Sequence, residues 1–305
     1  MRLLITGASG FIGRNLLRKL AGLKMEVLIL GRHSPEGLPP NAQYFKADLT
    51  DRKAMKSVAT SVKDGFDACI HLAGQTDIAR SFSDPAEDLK ENVLPIINLL
   101  SVFKVSRFIY ASTGSVYEGQ SGMVDQKVAI APSIPYAISK YTGEVYLKAL
   151  HKKCHNPASY LILRIFNPYG PYEKSGKIIP RLVTQFAINK DPKFTLQGSG
   201  GGMVDPMYVG DTCDAIIAAL SSDVGGKAID ICSGRPTKLS QLAREIAITF
   251  GIEPAIDVTG SSDEEMTFYG NPESQKAILG FSPRVRLRDG LLAYKEFLSN
   301  GSVLL

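Results

Sequence analysis

Cysteine is scarce in this chain of 305 residues: Cys69, Cys154, Cys213 and Cys232 lie far apart and form no CxxC pair. That spacing argues against a secreted disulfide framework and points to a reducing, cytosolic setting. Like-charge runs are missing too. Lys and Arg number 35 against 30 Asp and Glu, a net charge of +5, and no block of five like charges occurs. Dedicated nucleic-acid binding is therefore not expected, while a mild positive balance suits a protein that handles phosphorylated small molecules. Long hydrophobic runs are absent. The stretch Tyr160–Phe166 is short and carries Arg164 inside it, far below the ~20 residues of a membrane span. At the N-terminus, MRLLITGASGFIG meets its glycines before a signal-peptide core could form, so it reads as a first strand and turn. With 44% hydrophobic and 21% charged residues, neither a disordered nor a fibrous chain fits.

What is present is alternation. Residues 3–6, 26–30, 68–73, 107–112 and 160–166 are short apolar runs of the buried-strand type. Amphipathic segments at 14–23, 85–104 and 136–153 separate them. Such alternation predicts an α/β fold, a parallel sheet covered by helices on both faces with right-handed crossovers. After about Phe166 the rhythm breaks at Pro168, Gly170, Pro171 and the glycines of 198–202. A first domain over 1–166 and a smaller lobe over 167–305 are expected, with a return of the chain to the sheet at about 204–220.

The first strand runs into Thr6-Gly7-Ala8-Ser9-Gly10-Phe11-Ile12-Gly13. Gly7 suits the tight turn, Gly10 the approach of a pyrophosphate to the backbone, and Gly13 the close packing of helix on strand. The N-terminus of the following helix offers N–H groups and a positive dipole end to phosphates. This is the pattern of a dinucleotide site. Arg32 follows the second strand, where a carboxylate would bind the ribose hydroxyl of NAD and an arginine can pair with the 2′-phosphate of NADP. NADP(H) is favoured on that ground and NAD(H) remains open. Asp48, after the third strand, is placed to accept from an adenine amino group or to cap the next helix.

Tyr136 and Lys140 stand four apart in YAISK, on one face of a helix. A phenol titrates near 10, and a neighbouring ammonium stabilises its anion. Such a pair beside a nicotinamide can move a proton on an alcohol or sugar oxygen as hydride moves.

TGASGFIG, STGSVYEG and YAISK together, with HLAGQTDIARSFSDP, Asn92, LRIFNPYGP and AILGFSPRV in order, resemble the extended short-chain dehydrogenase/reductase family, the sugar-nucleotide epimerases and dehydratases. The resemblance spans nearly the whole chain. It implies a Rossmann-type doubly wound sheet with a smaller C-terminal substrate-binding lobe, a nucleotide-sugar substrate and a homodimer formed through two helices. It also implies that Tyr136 is the acid/base, that Lys140 lowers its pKa and holds the nicotinamide ribose, and that Thr113 hydrogen-bonds the reacting oxygen, with Ser112 as the rival. Phe11, Ile12, Leu49, Leu72, Ala73, Gly74 and Ser112 would line the cofactor. Thr76, Ser81 and Asn167 would meet the substrate, Asn167 being otherwise a turn residue before Pro168.

Two departures narrow the chemistry. Gly114 and Ser115 occupy positions where related dehydratases carry an acidic pair and decarboxylases a glutamate, so dehydration and decarboxylation are disfavoured. Val204 replaces an arginine that pairs with the substrate diphosphate, and a second arginine is missing around 266–269. Lys174, Lys177 and Arg181 are candidates to compensate or are solvated charges. His151, Cys154 and His155 are close in sequence but lack the pattern of a zinc module, so no metal is expected; His71 reads as a packed residue. The expectation is an NADPH-dependent 4-keto sugar-nucleotide reductase, with an NAD-dependent 4-epimerase as the alternative. A cofactor-sensing binding protein without catalysis, or an enzyme acting on a non-nucleotide ketone, are further readings.

Overall fold

The computed structural model describes residues 1–62, 65–260 and 267–299. Its large sheet consists of β1 (Arg2–Thr6), β2 (Glu26–Gly31), β3 (Ala42–Lys46), β4 (Phe66–His71), β5 (Val105–Thr113), β7 (Ser159–Ile165) and β12 (Lys227–Ile231). All seven strands are parallel, in the order β3–β2–β1–β4–β5–β7–β12. The order reverses beside β1, which opens a crevice at the carboxyl ends of β1 and β4.

Ten helices accompany the strands among the described residues: α1 (Phe11–Leu20), α2 (Arg52–Ser61), α3 (Ile78–Ser83), α4 (Pro85–Val102), α5 (Pro135–Cys154), α6 (Ile178–Val183), α7 (Val209–Ser221), α8 (Leu239–Thr249), α9 (Glu273–Leu279) and α10 (Leu287–Ser299). The apolar strands have no polar face because both faces are covered. Leu3, Ile5, Val27, Ile29, Ile70 and Ile109 pack with Leu16, Leu20, Cys213 and Ile216 of α1 and α7. Their neighbours Leu4, Leu28, Leu30, Cys69, Phe108 and Ile162 pack with Met55, Ile96, Leu99 and Leu147 of α2, α4 and α5.

A separate core joins Leu182, Phe186, Phe194, Leu242, Ile246, Leu291 and Tyr294 in α6, α8, α10 and the chain between them. The remaining strands serve this lobe and its junction: β6 (Ser121–Val124) with β15 (Thr267–Gly270), β8 (Pro168–Tyr169) with β11 (Met207–Tyr208), β9 (Lys193–Gln197) with β14 (Ala255–Thr259), and β10 (Met203–Val204) with β13 (Thr237–Lys238). The chain returns from the lobe to the large sheet through α7 and β12. No helix among the described residues is long and apolar enough to cross a membrane.

Candidate active site

The glycine loop closes the crevice between β1, β4 and α1. Gly7 has φ +71°, and a Cβ there would stand 2.5 Å from the Ala73 nitrogen. A Cβ on Gly13 would lie 2.2 Å from the Gly7 carbonyl oxygen. Helix and loop therefore approach as closely as backbone allows. Gly10 caps α1 in an extended conformation with no side-chain hydrogen bond, so the first N–H groups of the helix, at Phe11 and Ile12, are left for an anion. The Leu72 and Ala73 backbone beyond β4 lies against Gly7, while Leu49 is packed in the core on the side of α2 and α4. The residues present fit a dinucleotide.

At the end of β2, Arg32 donates to Glu91 Oε1 at 2.9 Å, and Arg80 of α3 donates to Glu91 Oε2 at 3.2 Å. Two guanidiniums thus share one nearly buried carboxylate. Asp48 is exposed and accepts from the Thr50 amide and hydroxyl, both at 2.9 Å. The cap of α2 is Asp51, which accepts from the Lys53 and Ala54 amides.

Thr113 ends β5 and Tyr136 begins α5, so a strand end and a helix start meet. Glu118 fixes the approach to α5 by accepting from the Ser133 amide and hydroxyl and the Ile134 amide at 2.6, 2.8 and 3.1 Å. The Thr113 side chain is near enough to the Tyr136 phenol to favour its ionised form, while its hydroxyl donates to Ser115 Oγ at 3.2 Å and accepts from the Ser115 amide at 3.1 Å. The rival hydroxyl of Ser112 is donated to Glu144 Oε1 at 2.7 Å. Lys140 lies one turn along α5 and donates to the Ala111 carbonyl at 2.6 Å, with its ammonium 4.5 Å from the Tyr110 ring centroid.

Tyr136, Lys140 and Thr113 are all nearly buried. Burial pushes the phenol up to about 12, the Thr113 side chain opposing it, and lowers the Lys140 ammonium to about 8 against the pull of Glu144 and Asp88. The direction at Tyr136 is opposite to that expected from a lysine neighbour. Desolvation is the larger cause of the rise at the phenol, and the Lys140 ammonium is directed to the Ala111 carbonyl. His71, which shares a hydrogen with Thr6 Oγ1 at 2.7 Å, is driven down to about 3 by burial and by Lys140, and is neutral.

The chain is similar to known proteins along most of its length. The family model for the NAD-dependent epimerase/dehydratase family matches residues 3–232. The chain belongs to that family. GDP-6-deoxy-D-mannose reductase of Pseudomonas aeruginosa is 28% identical over 306 residues, covering 96% of this chain and 95% of its own. The UDP-glucose 4-epimerase of Thermotoga maritima, solved with UDP-glucose, superposes with a TM-score of 0.87 at 25% identity over 99% of both chains. The RMD protein of Pseudomonas aeruginosa, solved with NADPH, gives a TM-score of 0.82 at 26% identity over 97% of this chain and 98% of its own. The protein is an NAD(P)-dependent enzyme of the extended short-chain dehydrogenase/reductase group. Its relatives give no support to a binding protein that has lost catalysis.

The residues expected to meet the substrate come from distant parts of the chain. Asn167 has φ +31° and accepts from the Asp205 amide through Oδ1 at 3.1 Å, which leaves its NH2 group for a ligand. Lys177 donates to the Thr76 carbonyl at 3.2 Å and so joins the lobe to the loop after β4. Arg181 lies with its guanidinium 5.3 Å from the Phe194 ring centroid. Ser81 is fully buried in α3 and donates to the Ile78 carbonyl at 2.7 Å, so it is not brought to the crevice surface. Val204 pairs with Thr237 and packs against the lobe core. Of the 266–269 segment, Met266 lies outside the described residues.

The departure at Gly114 has a steric cause. A Cβ there would meet the Phe166 ring at 2.8 Å, so this position cannot hold an acidic side chain while Phe166 stays where it is. The fold also reveals a buried network that the motifs did not single out. Glu144 takes both Nε and Nη2 of Arg164, at 3.0 and 2.7 Å, and Arg164 reaches the Tyr117 hydroxyl at 2.7 Å. Tyr117 in turn donates to Asp230 at 2.9 Å. An arginine within the apolar run of β7 was the available signal, because a buried guanidinium requires a carboxylate.

Proposed function

We propose that this protein is an NADPH-dependent reductase acting at carbon 4 of a 4-keto nucleotide sugar. The observation that carries the reading is Arg32 beyond β2, which shares Glu91 with Arg80. Arg32 has Arg80 beside it and the carboxylates of Glu91 and Asp48 around it, and a guanidinium at this position can pair with a ribose 2′-phosphate, which a ribose hydroxyl does not require. The nicotinamide, when bound, supplies the hydride. Tyr136 gives its proton to the oxygen at the reduced carbon, and a phenol held up at about 12 is in that acid form at neutral pH. Lys140 offsets the charge left on the phenol and holds the nicotinamide ribose, while the Thr113 hydroxyl hydrogen-bonds the reacting oxygen. Thr76, Asn167, Lys177 and Arg181 border the nucleotide-sugar site, and Ser81 supports it from beneath.

A 4-epimerase is the second reading. It is favoured by the QTDIARS loop and the STGSVY strand end, which look more like those of epimerases, and by the likeness to a UDP-glucose 4-epimerase solved with UDP-glucose. Denaturing the fresh protein and identifying the released nucleotide decides between them. Empty protein that binds NADPH much more tightly than NADH supports the reductase, and Arg32→Ala then removes most of that preference. Stoichiometric NAD or NADH supports the epimerase and makes Arg32 a bystander.

The protein is read as a cytosolic homodimer. Leu89 and Leu94 of α4 and Ile138, Val145 and Tyr146 of α5 are exposed apolar side chains on two neighbouring helices, the kind of surface that a second copy covers. Sedimentation as a monomer at micromolar concentration would remove this part of the proposal.

A further inference from the structure

Beside the Tyr136–Lys140 pair lies a set of buried polar groups. Asp88 of α4 is 2% exposed. Its Oδ1 accepts from Gln75 Nε2 at 2.8 Å and Asn92 Nδ2 at 3.2 Å, while its Oδ2 has no partner in the protein. Asn92 also donates to Ser139 Oγ at 2.9 Å, and Ser139 donates to the Tyr136 carbonyl at 3.0 Å. The Asn92 Oδ1 atom is buried without a partner as well. That oxygen and the Lys140 ammonium converge on one spot: a Cβ on Gly74 would stand 2.5 Å from Asn92 Oδ1 and 3.8 Å from Lys140 Nζ.

A buried ammonium requires a counter-charge or must give up its proton. The groups that face Lys140 come from four elements. His71 on β4 is neutral, and Tyr110 on β5 offers only its ring face. On α5 itself, Tyr136 is a neutral phenol, and Glu144 is held by Arg164 through both oxygens. On α4, Asp88 alone among these carboxylates has no ion-pair partner among the described residues, since Glu91 is taken by Arg32 and Arg80.

We propose that Asp88 is the buried counter-charge of the Lys140 ammonium and thereby a positioning residue for the Tyr136–Lys140 pair. The inference rests on the reading of that pair as the proton-handling machinery. Its carboxylate favours the ammonium and opposes the phenolate, so it acts on both members in the sense that keeps the ammonium charged and the phenol protonated.

The test is a two-by-two set of the full chain: wild type, Asp88→Asn, Lys140→Met and the double variant. Asparagine keeps the size of Asp88 and an oxygen for Gln75 and Asn92. At neutral pH, Asp88→Asn lowers the melting temperature in the wild-type background. In the Lys140→Met background it leaves the melting temperature unchanged or raises it, because it then removes a buried carboxylate with no cation. Equal losses in both backgrounds overturn the proposal.

The pH dependence of kcat gives a second readout. Asp88→Asn moves the alkaline limb down by about one pH unit, since the ammonium loses a favourable neighbour. A lower kcat with an unmoved profile marks a merely structural residue and also overturns it. Full activity in Lys140→Met refutes the reading of the pair instead, without touching the stability coupling. Should Asp88→Asn not fold, wild type and Lys140→Met are melted across pH. Lys140→Met gains stability relative to wild type as pH is lowered, and parallel curves overturn the proposal.

Discussion

Gly10 and Gly13 are three residues apart in one loop, yet alanine at the two positions should fail for different reasons. At Gly13 the added methyl would stand 2.2 Å from the Gly7 oxygen and 2.6 Å from the Ala8 Cα, both backbone atoms. Contact begins at about 3.5 Å, so α1 must retreat from the loop by about an ångström. Overpacking of this kind costs about 1–3 kcal/mol, or about 2–5 °C of melting temperature in a chain of this size. The retreat also withdraws the helix N-terminus from the phosphates, and cofactor affinity should fall at least about tenfold, about 1.4 kcal/mol.

At Gly10 the nearest atom to an added methyl is the Gly7 oxygen at 3.3 Å, and the backbone is extended. Gly10→Ala should therefore cost about 0.5–1 kcal/mol as a helix cap, without the backbone clash met at Gly13. Its methyl nevertheless points at the approach of the pyrophosphate, so binding is lost with the fold intact. Thermal melts paired with calorimetric titration of NADPH and NAD separate the two cases. Wild-type stability and affinity in Gly13→Ala, or equal destabilisation by both substitutions, would refute the reasoning.

Three further outcomes are expected. Tyr136→Phe should keep cofactor affinity while kcat falls by about 10²–10⁴, as measured by isotherms and initial rates; a fully active variant rejects Tyr136 as the acid. Gly114→Asp should destabilise by about 1–3 kcal/mol, because the Phe166 ring stands 2.8 Å from the added Cβ, and it should give no dehydration product; Phe166→Leu should restore much of the stability, and denaturant melts of the single and double variants check this. Glu173 is buried, which pushes its carboxyl up to about 8 against the Gly170 amide and Lys177. The folded state then holds a proton that the unfolded chain has released above about 4.3. Stability from this group is complete below that point and is lost as pH rises toward 8. Glu173→Gln should flatten that decline, and melting temperatures across this pH range show whether it does.

Much of this molecule was written locally in its sequence. Strands buried on both faces must be apolar throughout, and amphipathic helices must carry a 3.6-residue stripe, so alternation alone announced the doubly wound sheet. TGASGFIG announced the cradle, because only glycine tolerates the contact of Gly7 with Ala73 and of Gly13 with Gly7. The face shared by Tyr136 and Lys140 followed from helical spacing. Other features depend on residues distant in the chain, which no local pattern can report. The shared grip of Arg32 and Arg80 on Glu91 needs β2, α3 and α4 to meet. That the Ser112 hydroxyl is held by Glu144 depends on β5 meeting α5. Whether the phenol rises or falls depends on how completely the surrounding elements exclude water, and here burial wins. Asp88 looks in sequence like one more acidic residue of a helix. Only the packing of α4 against its neighbours turns it into a buried carboxylate, because desolvation is a property of the assembled fold.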